Sequence, residues 1–155
     1  MKKPVAGFMA IAAVFLIGAV FLFSHKSSAP IQGSEVSEPT RSVEIGDTQL
    51  YVTIADSEAE REKGLSGRTG LAPDEGMLFI FERDGQYAFW MKDMKFAIDI
   101  LWLDKGGKIV HIEPSLSPDT YPNSYEPKVD ARYVLEVSAG FSKAHNIQVG
   151  ELVNI

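Results

Sequence analysis

Cysteine is absent from this 155-residue chain, and its absence closes several possibilities at once. No disulfide framework, thiolate zinc site, cysteine nucleophile or lipoprotein linkage is available, so stability must come from packing. A phosphate-cradling glycine loop and a metal-ligand spacing are missing too. Gly64-Leu65-Ser66-Gly67 approaches a nucleophile elbow, but the G-x-S-x-G spacing fails and no strand precedes it. Positive charge is scarce: Lys and Arg number 15 against 21 Asp and Glu, for a net charge of −6. Lys2, Lys3 and Lys26 flank an N-terminal apolar run, so the remainder is more acidic still. An acidic domain without a basic patch repels phosphate backbones, and nucleic acid is not expected as a partner. No motif implies a cofactor.

What the chain does have begins with Val5 to Phe23, an unbroken apolar run preceded by the short segment 1–4. It is close to the ~20 residues a helix needs to cross a bilayer. It predicts a single transmembrane helix acting as a signal anchor, with membrane as the first partner. The competing reading is a cleaved signal peptide, for which Ser27-Ser28-Ala29 offers a site with Pro30 unfavourably placed after it. Cleavage would make the protein secreted. Ser24 to Ser42, rich in Ser, Pro and Glu, reads as a flexible linker holding residues 43–155 away from the membrane on the extracytoplasmic side, periplasmic or cell-surface.

Within 43–155, VEIGDTQLYVTIAD reads as a hairpin about Gly46-Asp47. Ser57 with Glu60 forms a capping box for a short helix that ends at Gly64 and Gly67. Gly76 to Glu82, Tyr87 to Met91, Ala97 to Leu103 and Lys108 to Glu113 read as strands, with turns at Asp84-Gly85 and Gly106-Gly107. Glu113 to Pro127 carries four prolines and is expected to be a long loop. Arg132 to Val137 is a further strand, Ser138 is expected to cap a short helix running to about His145, and Glu151 to Ile155 closes the chain as a strand. Strands apolar on both sides, such as Ile98 to Leu103, need cover on both faces. The expected fold is therefore mainly β: a compact barrel or folded-over sandwich of seven to eight short strands with two short helices.

Several of these segments together, REKGLSGR at Arg61 to Arg68, GMLFIF at Gly76 to Phe81, FWMKDM followed by AIDILWLD, KIVHIEP at Lys108 to Pro114, VLEVSAG at Val134 to Gly140 and IQVGELV at Ile147 to Val153, carry a resemblance. From about Val43 onward the chain resembles the domain of unknown function 192 family, small exported or membrane-tethered bacterial and archaeal domains. Family members commonly have Met where this chain has Ser66, and Asn-Thr where it has Asp93-Met94. The resemblance implies a compact β-rich domain in an extracytoplasmic setting and no established reaction.

Two carboxylates stand out chemically. Asp99 sits between Ile98 and Ile100, and Glu136 between Leu135 and Val137. A carboxylate in such a run must find partners or shift its pKa upward. Asp99 is expected either to pair structurally, with backbone amides, Arg68 or Lys92, or to anchor the base of a pocket. With Glu136 beside it, the two would make a carboxylate hydrolase. Met77, Met91 and Met94 with Trp90 raise Cu(I) binding, against which stands the ordinary use of Met and Trp as core filling. Phe79, Phe81, Phe89, Trp90 and Trp102 are either core or the lining of a groove beneath a lid of Tyr121 and Tyr125. The reading that joins these is a small ligand or envelope component bound by Arg68, Met77, Trp90, Met91, Asp99, Glu136, Tyr121 and Tyr125. It lies in a cleft between the Trp90 to Asp99 region and the proline-rich loop. A structural or protein-interaction module is the remaining class.

Overall fold

The computed structural model describes residues 40–155. The apolar run at 5–23 and most of the linker lie outside the described residues. Among those described, no helix is long and apolar enough to cross a membrane.

The chain opens with β1 (Thr40–Ile45) and β2 (Thr48–Ala55), an antiparallel hairpin with Ile45 opposite Thr48. Gly46 takes φ 57, the left-handed start that a two-residue hairpin turn requires. Next comes α1 (Glu58–Lys63), whose capping box is complete: the Ser57 hydroxyl accepts from the Glu60 amide, and the Glu60 carboxylate accepts from the Ser57 amide. After α1 follow β3 (Glu75–Gly85), β4 (Phe89–Trp90), β5 (Ile98–Leu103) and β6 (Ile109–Leu116). A 3-10 turn, β7 (Ser124–Tyr125), β8 (Ala131–Ser138), α2 (Phe141–Ala144) and β9 (Val153–Asn154) complete the described chain. Seven strands form one curled half-barrel sheet in the order β6-β5-β8-β3-β2-β1-β9, and β4 pairs with β7 in a separate ribbon. Among the described strands, only β2 and β3 pair in parallel. That connection is the one carrying α1, as a parallel crossover requires.

A bridge between Lys108 and Leu152 links the two outermost strands at one rim. Ile109 N–H donates to the Glu151 carbonyl, and Val153 N–H to the Gly107 carbonyl, both at 2.8 Å. Gly107 is needed there: it has φ 80, and a Cβ would stand 2.5 Å from the Val153 carbonyl oxygen.

Both faces of the sheet are covered. On the concave face Val43, Leu50, Val52, Leu78, Leu101, Leu135 and Val137 pack with Phe141 of α2 and Ile147. On the convex face Met77, Phe79, Ile98, Ile100, Trp102 and Val134 pack under Leu65, Met91 and Leu116. This explains why Ile98 to Leu103 is buried at every position.

Three local expectations are corrected. The segment after Glu113 is shorter than a full loop, because β6 continues through Pro114 to Leu116 before the 3-10 turn at Pro118–Thr120. Pro114 is tolerated because the ladder breaks there: pairing shifts between Ile98–Leu116 and Ile100–Glu113, and a bulge on an edge strand needs no amide from proline. The Tyr87 to Met91 strand is reduced to Phe89–Trp90 and leaves the main sheet. The N-cap of α2 is Gly140, not Ser138, with no capping by its own side chain.

Candidate functional site

The missing cap is supplied from β5. Asp99 accepts from the Ser142 amide through Oδ2 at 2.8 Å, and through Oδ1 from the Gly140 amide at 2.9 Å and the Ser115 amide at 2.8 Å. Ser115 sits in the β6 bulge at φ 54, an uncommon conformation for a residue with a side chain. One buried carboxylate therefore fixes the bulge and the start of α2 together. Its partners are backbone amides, not Arg68 or Lys92.

Glu136 sits in the neighbouring strand with the opposite outcome. Its cross-strand neighbours are Met77 on β3 and Ile100 on β5, both on the convex face. Asp99 lies opposite Val137, which belongs to the concave cluster. Side chains alternate along a strand, so the two carboxylates point to opposite faces of the sheet. They do not form the pair on which carboxylate hydrolysis depends.

Glu136 is 5 % exposed, and its Oε2 atom has no hydrogen-bond partner among the described residues. Burial pushes its carboxyl up to about 8, because removing the charged form from water is unfavourable when nothing replaces the lost hydration. The group opens onto a cleft of about 430 Å³. One wall is α1 and the turn that follows, with Arg61, Leu65 and Ser66. The other is the Tyr87 to Trp90 segment with Lys92 and Met94. The floor is Phe79, Phe81 and Glu136.

The cleft is rigid for reasons that can be named. Arg61 Nη1 donates to the Ile80 carbonyl at 2.9 Å and also to the Asp56 carbonyl, and its guanidinium lies 5.3 Å from the Phe81 ring centroid. This pins α1, which buries none of its own residues. Phe81 stacks on Tyr87 at 3.5 Å between centroids, and Phe89 meets Phe79 edge-on at 4.9 Å. The Trp102 indole donates to the Tyr87 carbonyl at 2.9 Å. Ser66 Oγ donates to the Lys92 carbonyl and Gly67 N–H to the Asp93 carbonyl, at 3.0 and 3.1 Å, tying the two walls together at one end. Gly64 turns the chain there at φ 48, and a Cβ would stand 3.3 Å from the Phe79 ring.

Of the residues expected in a site, Trp90 and Glu136 line the cleft, with Trp90 55 % exposed. Met77 and Met91 are buried, and with the partly buried Met94 they belong to the convex cluster. Tyr121 meets Trp90 edge-on at 6.4 Å without lining the cleft, and Tyr125 pairs opposite Phe89. Arg68 and Asp99 are not among its lining residues. The cleft is therefore walled by α1 and the Tyr87 to Trp90 segment, and no residue of the proline-rich segment is among its lining residues. Of the aromatic residues read as either core or groove, Phe79, Phe81 and Phe89 are among the cleft's lining residues, but Phe79, like Trp102, is fully buried. The contributions of Arg61, Leu65 and Tyr87 were missed. The sequence signal for Arg61 and Leu65 was the REKGLSGR segment, whose charge pattern reads as an ordinary solvated helix, while Tyr87 read as the start of a strand. Among the described residues, no group of three or more His, Asp or Glu side chains is placed to hold a metal ion.

The family model for DUF192, described as uncharacterized ACR, matches residues 41–155. Similar solved structures include a proposed transcription regulator from Sinorhizobium meliloti 1021. It is 30% identical with a TM-score of 0.72, over 77% of this chain and 96% of that one. A protein of unknown function from Novosphingobium aromaticivorans DSM 12444 is similar at 24% identity and a TM-score of 0.71, over 75% of this chain and 85% of that one, a likeness of fold. No functionally curated protein matches.

Proposed function

This chain belongs to the DUF192 family, and we propose that its role is to bind a small organic molecule in the cleft beneath α1, with Glu136 as the polar anchor. The observation that carries this is the unpartnered Glu136 Oε2 at the floor of an open, aromatic-walled cleft. A buried carboxyl without a hydrogen bond is costly, and proteins retain few such groups without a use. A concavity that combines aromatic rings with a few polar groups, here charged residues of α1, Lys92 and the buried Glu136 carboxyl, is an ordinary form of a ligand site.

In this reading the Val5 to Phe23 run anchors the protein in a membrane and the linker presents the domain on the extracytoplasmic side, where it meets a small ligand or envelope component. A mature N-terminus that retains Lys2 and Lys3 is the expected result of protein sequencing, and a new N-terminus near Ala29 would mean secretion. The regulator name of the Sinorhizobium relative is not carried over, since a net charge of −6 opposes contact with phosphate backbones.

The test is to soak crystals with a mixed set of small aromatics, sugars and amines. Density in the cleft within hydrogen-bond reach of Glu136 is expected. Density confined to other surfaces, with the cleft holding only water, would overturn the reading and favour a protein-interaction module.

A further inference from the structure

The geometry points to an organic cation as the ligand of this cleft: an alkylated or aromatic ammonium group held at Glu136 in the cleft that Phe89 and Trp90 also line. This deepens the binding reading and rests on it.

The floor carries one polar side chain, Glu136, and its Oε2 atom lacks a partner. An alcohol or amide satisfies one hydrogen bond there. A cation balances the charge of the ionised carboxylate, with or without an N–H to donate, and is drawn to the rings as well, because the electron-rich faces of aromatic rings attract positive charge, most strongly where water is excluded. The protein already uses two of its rings in this way, and Phe81, stacked on Tyr87, has no face left for a ligand. The Arg61 guanidinium lies 5.3 Å from the Phe81 centroid and Lys92 Nζ lies 6.0 Å from that of Trp90. Arg61 is held by the Asp56 and Ile80 carbonyls and so belongs to the wall.

The charged groups lining the cleft are Glu58, Arg61, Glu62 and Lys63 from α1 and Lys92 after β4. The strand neighbours of Glu136, Met77 and Ile100, are apolar. The three bases at the rim exceed the two acids by one, so attraction for a cation rests on the Glu136 carboxylate at the floor. To hold a cation, Glu136 must release its proton. Since burial holds its pKa up at about 8, affinity for a permanent cation should rise roughly tenfold per pH unit below that value and then level off.

The experiment titrates the full-length protein, free of choline lipids and cationic detergents, with three probes of similar size: benzyltrimethylammonium, benzyl alcohol and phenylacetate. Tryptophan fluorescence and calorimetry report binding between pH 6 and 9. The expected result is that benzyltrimethylammonium binds at least tenfold tighter than benzyl alcohol at pH 8, with affinity rising with pH. Glu136→Gln should lose both the preference and the pH dependence while keeping a native melting transition. Tighter binding of benzyl alcohol or phenylacetate overturns the cation assignment and leaves the cleft as a ligand site. No binding of any probe, with cleft density still seen in the soaked crystals, also rejects the cation. No probe binding together with an empty cleft rejects both readings.

Discussion

Ile98-Asp99-Ile100 and Leu135-Glu136-Val137 are close to the same tripeptide, and in the fold they lie in adjacent strands with Ile100 opposite Glu136. Their fates differ completely. Asp99 enters the concave face and meets three backbone amides. Glu136 enters the convex face among Met77, Ile100 and aromatic rings and meets none. Burial alone is thus a poor guide to what a carboxylate does. The supply of donors decides: a saturated carboxylate holds structure together, whereas an unsaturated one strains it and is retained only if something else makes use of it.

The contrast can be broken most forcefully at Asp99. Asp99→Ala leaves the Ser115, Gly140 and Ser142 amides without their acceptor, and should destabilise the domain by about 4 kcal/mol in urea denaturation. A loss below ~1 kcal/mol would mean that those amides find other partners.

Next in size is the pH dependence of stability. Glu136 has a folded pKa raised from 4.5 to about 8, so between those values the folded state binds more protons than the unfolded one. The contribution is present below pH 4.5 and is lost as pH rises through the window to about 8. The wild-type protein should lose on the order of 3 kcal/mol relative to Glu136→Gln across that range. Parallel stability curves for the two proteins would show that Glu136 titrates normally.

Replacing Glu136 by an apolar side chain of similar length gives the opposite sign to Asp99→Ala. Glu136→Met should raise stability by about 1–2 kcal/mol at pH 7.5 while removing ligand binding. Destabilisation there would point to a structural partner for the carboxyl. Smallest is Ser57→Ala, which removes one side of the α1 capping box and should cost about 1 kcal/mol in thermal or chemical unfolding, without altering Glu136.

Much of the fold was legible because its signals are local. Gly46-Asp47 specifies a turn by backbone conformation, Ser57 and Glu60 specify a helix start by mutual hydrogen bonds, and Asn146 at φ 55 marks the end of α2 as expected. The site was legible only in part. A tripeptide of the form apolar-acid-apolar states that the acid is buried, but not on which face or beside which donors. Those depend on strand register, set by contacts far away in sequence. The capping of α2 shows the same limit: Ser138 is the local candidate, yet the carboxylate that does the work comes from β5, 43 residues before the Ser142 amide. The cover of the cleft was misplaced for a related reason. Proline and tyrosine made the segment after Glu113 look like a lid, whereas α1, with no buried residues of its own, gave no sign that Arg61 would pin it at the Ile80 carbonyl and the Phe81 ring as a wall of the cleft.

The comparison between the two carboxylates rests most directly on the ionisation of Glu136, which carbon-detected NMR can follow through its side-chain carboxyl from pH 3 to 9. The expected midpoint is near pH 8 in the ligand-free protein. A midpoint near 4.5 would mean that Glu136 is solvated or paired, and the argument for an unsatisfied anchor beneath α1 would be contradicted.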